Sequence, residues 1–290
     1  MSAPRVSLFA DFGLNLDADG DQVLVDLLTT IAAIIAGHIL LLPYTFKTTP
    51  KHKHWVDMLD LYFHLIYIPV LVVTAAHNVW SLGGSVHDRW HGMTLSGYIN
   101  LLLYCAENVV HIPILWFSKD CTAKLFCMYL LHHSISSLSF GAGLFTSRMQ
   151  YWACLDGLCE ISALFLNILF TYQYFELKRG LTYTICGSLL WLSFLVFRIA
   201  LFPYWLYSFY QDINQNPEIT WNVIGPFEKY FYVLTNVLLL VLSTNWFIPI
   251  TKGFIKALKG SKPIVEQSPK PQGFGQPKTP SDRLQKQKGI

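Results

Sequence analysis

Apolar runs of about twenty residues, separated by short polar breaks, set the pattern of this chain. Seven such runs stand out, at 22–42, 56–80, 94–117, 124–145, 149–174, 181–204 and 227–250. At ~1.5 Å per residue, about 20 helical residues cross the ~30 Å hydrocarbon core of a bilayer. A helix also satisfies every backbone N–H and C=O within its own segment, which lipid demands. The pattern therefore predicts an all-α fold, a multi-pass transmembrane helical bundle of seven spans. Trp55, Trp80, Trp116, Tyr174, Trp205, Tyr207 and Trp246 fall near the ends of these runs, where amphipathic rings anchor a helix at the interface.

Polar residues interrupt several runs at depth. The fourth, KLFCMYLLHHSISSLSFGAGLF, carries His132 and His133 at its centre, roughly 12–14 Å from its start. The third contains CAENVVHIPILW, in which Glu107 and His111 are four apart and share a helix face, with Asn108 beside them. The fifth contains YWACLDGLCEISALFLN, which places Asp156 and Glu160 on one face in the same way. Carboxylates at this depth need cations or hydrogen-bond donors. Arg198 of the sixth run is the partner expected for Asp156, leaving Glu160 for the histidines. Ionisable groups inside a membrane are functional candidates by default, and the adjacent His pair at the depth of two carboxylates is the foremost. His38, His64 and His77 are read as hydrogen-bonded structural residues, and Asp57 and Asp60 as interfacial and solvated.

Composition agrees with the run lengths. Hydrophobic residues make up 53% of the 290 and charged ones only 13%, against about 25% charged in soluble domains. That leaves room for one bundle with short loops and excludes an added soluble enzyme domain. Lysine and arginine settle the expected orientation. Lys47, Lys51, Lys53, Lys119, Lys124, Lys178, Arg179 and every cation after the seventh run fall on one side, whereas Arg5, Arg89, Arg148 and Lys229 fall on the other. By the positive-inside rule, the acidic N-terminus, 1–21, is lumenal and the C-terminus cytosolic. Topology accounts for the formal net charge of +3, and no nucleic-acid partner is implied.

Residues 260–290 are rich in Pro, Gly, Gln and Lys and read as a disordered cytosolic tail. Lys286 and Lys288 stand fifth and third from the end, in the arrangement of a dilysine retrieval signal. This predicts an endoplasmic-reticulum membrane location and coat-protein recognition as an address rather than an anchor. The first run serves as its own insertion signal, because the N-terminus has no cleavable signal pattern. The six cysteines lie in or beside apolar runs and suggest no disulfide framework. His87 and His91, in HDRWH, could be two ligands on one helical turn. With no other histidines grouped near them they read as a solvated loop, and no metal and no bound cofactor are expected.

In order along the chain, ENVVH, LLHHSISSLSF, LCEISALFLN and FRIALFPYW resemble the TLC-domain proteins (TRAM, LAG and ceroid-lipofuscinosis type). The resemblance covers a TLC domain at 55–259, preceded by a leading transmembrane helix at 22–43. Glu107 and Asn108, His132 and His133, Glu160 and Ser162, and Arg198 carry it position by position. The nearest branch is the ceroid-lipofuscinosis and TLC-domain-containing one. Ceramide synthases are less similar, because the further His-Asp pair of their motif has no counterpart here. The resemblance implies a role in lipid metabolism or lipid homeostasis, with membrane lipids as partners. On this reading His132 or His133 accepts an acyl group or acts as general base. Glu160, or Glu107 through His111, orients the imidazole; Asp156, Arg198 and Asn108 pair charges or hold structure; acyl-CoA is the co-substrate. A non-catalytic lipid sensor or cargo-trafficking protein is the alternative. Two other seven-span classes fit less well. A G-protein-coupled receptor would place Asp88-Arg89-Trp90 on the opposite side, and a fatty-acid elongase would have a third His where Tyr129 stands.

Overall fold

A computed structural model describes residues 20–119, 121–177 and 180–258. The segment before Gly20, read as lumenal, Lys178, Arg179, and the tail with Lys286 and Lys288 lie outside the described residues. Most of those described are helical, and no strand occurs among them. The chain up to Phe254 forms one compact unit. A second begins at Ile255, of which the described part is the end of the last helix.

The leading run becomes α1, Gly20–Thr48, and the second becomes α2, Trp55–Leu82. A six-residue helix, α3 (Val86–His91), follows where a solvated loop was expected. Ser85 makes the turn possible by accepting a hydrogen bond from the Asp88 backbone N–H at 3.0 Å. The third and fourth runs become α4, Leu95–Phe117, and α5, Ala123–Thr146, capped by Thr94 and Thr122 respectively. The fifth run is broken at Leu158–Cys159 into α6 (Gln150–Gly157) and α7 (Glu160–Tyr174). The sixth extends beyond its expected end, as α8 (Leu181–Phe194), a π-helical turn (Leu195–Ala200) and α9 (Leu201–Gln215). The seventh is α10, Pro226–Leu258.

Among the described residues, six helical stretches are long and apolar enough to cross a membrane: Gly20–Thr48, Trp55–Leu82, Val86–Phe117, Gln150–Tyr174, Leu181–Gln215 and Pro226–Lys256. α5 has the length, 24 residues, but His132, His133, Ser134, Ser136, Ser137 and Ser139 lower its apolarity. Its polarity is directed inward. His132, His133, Ser136 and Ser139 are buried, while Leu131 and Leu138 are exposed.

Two apolar clusters hold the bundle. Leu71, Ala75, Leu101, Phe140 and Leu144 knit α2, α4 and α5 together. Trp90, Trp152, Trp205 and Phe209 join α3, α6 and α9. Side-chain amides and hydroxyls bind the helices where apolar contact alone gives no drive in lipid. Asn100 donates to the Leu71 carbonyl at 2.7 Å, and Asn78 to Thr94 Oγ1 at 2.7 Å. Gly97 permits the close approach at this crossing, since a Cβ there would stand 2.2 Å from Asn78 Nδ2 and 2.6 Å from Gln150 Oε1.

Candidate functional site

α2, α4 and α5 turn their polar faces toward one another, and the meeting point is a row of imidazoles and carboxylates. The His111 Nδ1 atom of α4 lies 3.1 Å from His133 Nε2 of α5. Glu107, one turn before His111, has its Oε1 atom 3.5 Å from that same Nδ1. On the far side of His133, Nδ1 meets Asn108 Oδ1 at 2.5 Å. The helix spacing explains why: positions 107, 108 and 111 fall on one face, and that face packs against α5.

α2 contributes two residues that the sequence reading left out of the site. His64 Nε2 lies 2.9 Å from Glu107 Oε1, and its Nδ1 lies 2.9 Å from the backbone carbonyl of Asp60. Asp60 is not a solvated interfacial group, because its Oδ2 stands 3.4 Å from His111 Nε2. A signal for both was present in the sequence. Asp60 and His64 are four apart, the same spacing that marked Glu107 with His111.

His132 is a neighbour of this row without being tied into it. Its ring packs edge-on against Trp246 of α10, with centroids 5.9 Å apart. Its Nδ1 atom is buried with no hydrogen-bond partner among the described residues. His133, by contrast, has both ring nitrogens engaged.

Glu160 and Arg198 form a second polar group. Arg198 is carried inward on the π turn, where Nη2 lies 3.6 Å from Glu160 Oε1 and Nε donates to Ser162 Oγ at 2.7 Å. The expected pairing of Arg198 with Asp156 is therefore corrected. Asp156 instead accepts a hydrogen bond from Asn236 Nδ2 of α10 at 2.9 Å. Glu160 faces Arg198 and the Tyr104 hydroxyl, 3.4 Å away, rather than the His pair. The widened turn changes the direction Arg198 faces, which residue spacing alone does not register.

Both polar groups line one cavity of about 620 Å³, within the range of sites that enclose a small molecule. It runs from Lys53, Ser118 and Tyr174, beside the loops that follow α1, α4 and α7, to Tyr67 and Leu71 at depth. Cys121 stands at its mouth. Burial, with the charge of Asp57 adding to it, pushes the Cys121 thiol up, which leaves it a poor nucleophile. Besides Lys53 at the mouth, the nitrogen bases lining the cavity are those of His64, His111, His132 and His133.

His87 and His91 have ring centroids 5.2 Å apart. His91 Nε2 is engaged by the carbonyl of Ile219 at 2.7 Å, so the HDRWH string serves contacts within the fold. The family model of the TLC domain matches residues 52–252. No curated protein and no solved structure matches the chain.

Proposed function

Because this chain belongs to the TLC-domain family of multi-pass membrane proteins, we propose that its cavity is an intramembrane acyl-transfer site acting in lipid metabolism, with acyl-CoA as donor. The observation that carries the reading is His132: a buried imidazole with an unpartnered nitrogen, lining a 620 Å³ cavity beside the Glu107, His111 and His133 row. α5 is then the seventh span, its length and inward polarity suiting a helix whose outer face meets lipid. The cationic loops are cytosolic and the N-terminus is lumenal. The acyl-CoA headgroup sits at the mouth near Lys53, and the acyl chain lies along the apolar wall.

The chemistry balances without an outside base. A His132 ring nitrogen attacks the thioester carbonyl, the C–S bond breaks, and the departing thiolate takes the ring N–H proton. An N-acyl imidazole remains. A lipid hydroxyl or amine then attacks that carbonyl, the N–acyl bond breaks, and the nucleophile's proton returns to the imidazole. Glu107 and His111 act through His133 to set the ring's surroundings, whereas Glu160, held by Arg198, fixes the deep wall of the cavity.

Replacing His132 and His133 by Ala in the full-length protein should lower acyl transfer from acyl-CoA to membrane lipid by at least ~10²-fold, read by lipid mass spectrometry. Turnover retained in a folded variant would rule the site out. Lys286 and Lys288 favour a second reading, a non-catalytic protein of the endoplasmic reticulum recognised by coat proteins. A dispensable His pair, with altered distribution on deletion of 286–290, would establish it.

A further inference from the structure

We propose that Glu107, His111 and His133 bind a divalent first-row transition cation, with Zn²⁺ as the representative ion, at the edge of the cavity. The ligand atoms Glu107 Oε1, His111 Nδ1 and His133 Nε2 all lie within 4.8 Å of one another. Ligands ~2.0–2.1 Å from a tetrahedral ion stand ~3.3 Å apart. The separations of 3.5 Å from Glu107 to His111 and 3.1 Å from His111 to His133 bracket that edge.

Hydrogen bookkeeping points the same way. A neutral imidazole has one N–H and one lone pair. Asn108 Oδ1 can only accept, so the His133 proton is on Nδ1 and Nε2 presents a lone pair. With its proton on Nε2, toward the Asp60 carboxylate 3.4 Å away, His111 would turn a lone pair on Nδ1 to the same point. The two lone pairs then confront one another across 3.1 Å with a carboxylate oxygen beside them, an arrangement that a shared cation relieves. Carbonyl and carboxylate acceptors behind the ligating imidazoles are the usual outer shell of a metal site, fixing tautomer and ring direction. A competing triad of Asp60, His64 and His111 is disfavoured, because both His64 nitrogens already face acceptors at 2.9 Å.

Two imidazoles and one carboxylate leave coordination positions open toward the cavity, as in catalytic rather than structural sites. The ion would polarise a carbonyl or phosphoryl oxygen bound there. This assignment stands apart from the acyl-transfer reading, because metal content is measured without a substrate.

The full-length protein, purified in detergent, loaded with Zn²⁺ and desalted, should retain about one ion per chain by elemental mass spectrometry. Glu107→Gln, His111→Gln and His133→Gln should each lower retention about tenfold or more, and Asn108→Ala should weaken affinity ~10–100-fold through the outer shell. His77→Gln, whose ring instead meets Ser96 Oγ at 2.8 Å, should leave it unchanged. Wild-type protein holding less than ~0.1 equivalent of Zn²⁺, and equally little Fe²⁺ or Mn²⁺ loaded without oxygen, overturns the site. So does equal retention in the three ligand variants. Since a misfolded variant would also lose the ion, Co²⁺-loaded wild-type protein supplies an independent reading. Visible d–d absorption that Zn²⁺ displaces supports the site, and its absence overturns it.

Discussion

The two ends of the bundle hold comparable polar groups in opposite ways. On α3, Arg89 clasps Asp212 of α9 through two bonds, Nε to Oδ2 at 2.8 Å and Nη2 to Oδ1 at 2.5 Å. Trp90 Nε1 adds a third at 3.1 Å, and Arg89 Nη1 reaches the Gly83 carbonyl at 3.1 Å. Phe209 and Trp152 close around Trp90. At the other end the His132 Nδ1 atom is buried without a hydrogen bond among the described residues, and so are Asn108 Nδ2, His111 Nε2 and Asp60 Oδ1. The Arg89–Asp212 clasp pairs its charges and is closed over by aromatic rings, whereas the histidine row lines a cavity. Buried polar atoms are ordinarily paired; Trp152 Nε1 near the clasp also lacks a partner among the described residues, but the unpaired ionisable groups of the histidine row line the 620 Å³ cavity, which associates that end with binding or chemistry.

The contrast can be tested in decreasing order of effect on stability. At the sealed end, Asp212→Ala strips Arg89 and Trp90 of their acceptor and should cost about 3–5 kcal/mol, read as loss of thermal stability in detergent. A cost below ~1 kcal/mol would show that the clasp is ornamental to the fold. Between the ends, Gly97→Ala forces a methyl against Asn78 and Gln150 and should cost ~1–3 kcal/mol in the same assay. At the open end, His132→Gln removes no recorded hydrogen bond and faces existing space, so stability should change by less than about 1 kcal/mol. A larger loss would make His132 a structural residue and weaken its assignment to chemistry.

The helices themselves were legible from run length, because each apolar stretch long enough to span lipid also became helical. Their interruptions were not. Leu158–Cys159 lies between Asp156-Gly157 and Glu160, and the π turn at Leu195–Ala200 holds Arg198; similar polar residues, such as Glu107 and His111, sit within the unbroken helix α4, so polarity alone does not mark a break. The site was half legible. Glu107, Asn108, His111 and His133 meet as their shared helix faces implied, whereas Asp60 and His64 were discounted as interfacial or structural despite carrying the same four-residue spacing. The partners of Asp156 and Arg198 depended on how α9 and α10 rotate against α6 and α7. Rotation between helices depends on packing, which no spacing within one segment encodes.

The π turn has a consequence for how this chain tolerates change. Each residue advances an α-helix by ~100°, and a widened turn accommodates one extra residue without disturbing the helix on either side. Arg198 lies inside that turn, and Trp205, Phe209 and Asp212 follow it on α9. Excising one residue from 195–200 would therefore relax the turn to an ordinary α-helix and leave the cavity end and the clasp on Arg89 in phase. A second inserted residue, with no slack left to absorb it, would swing the clasp away by ~100°.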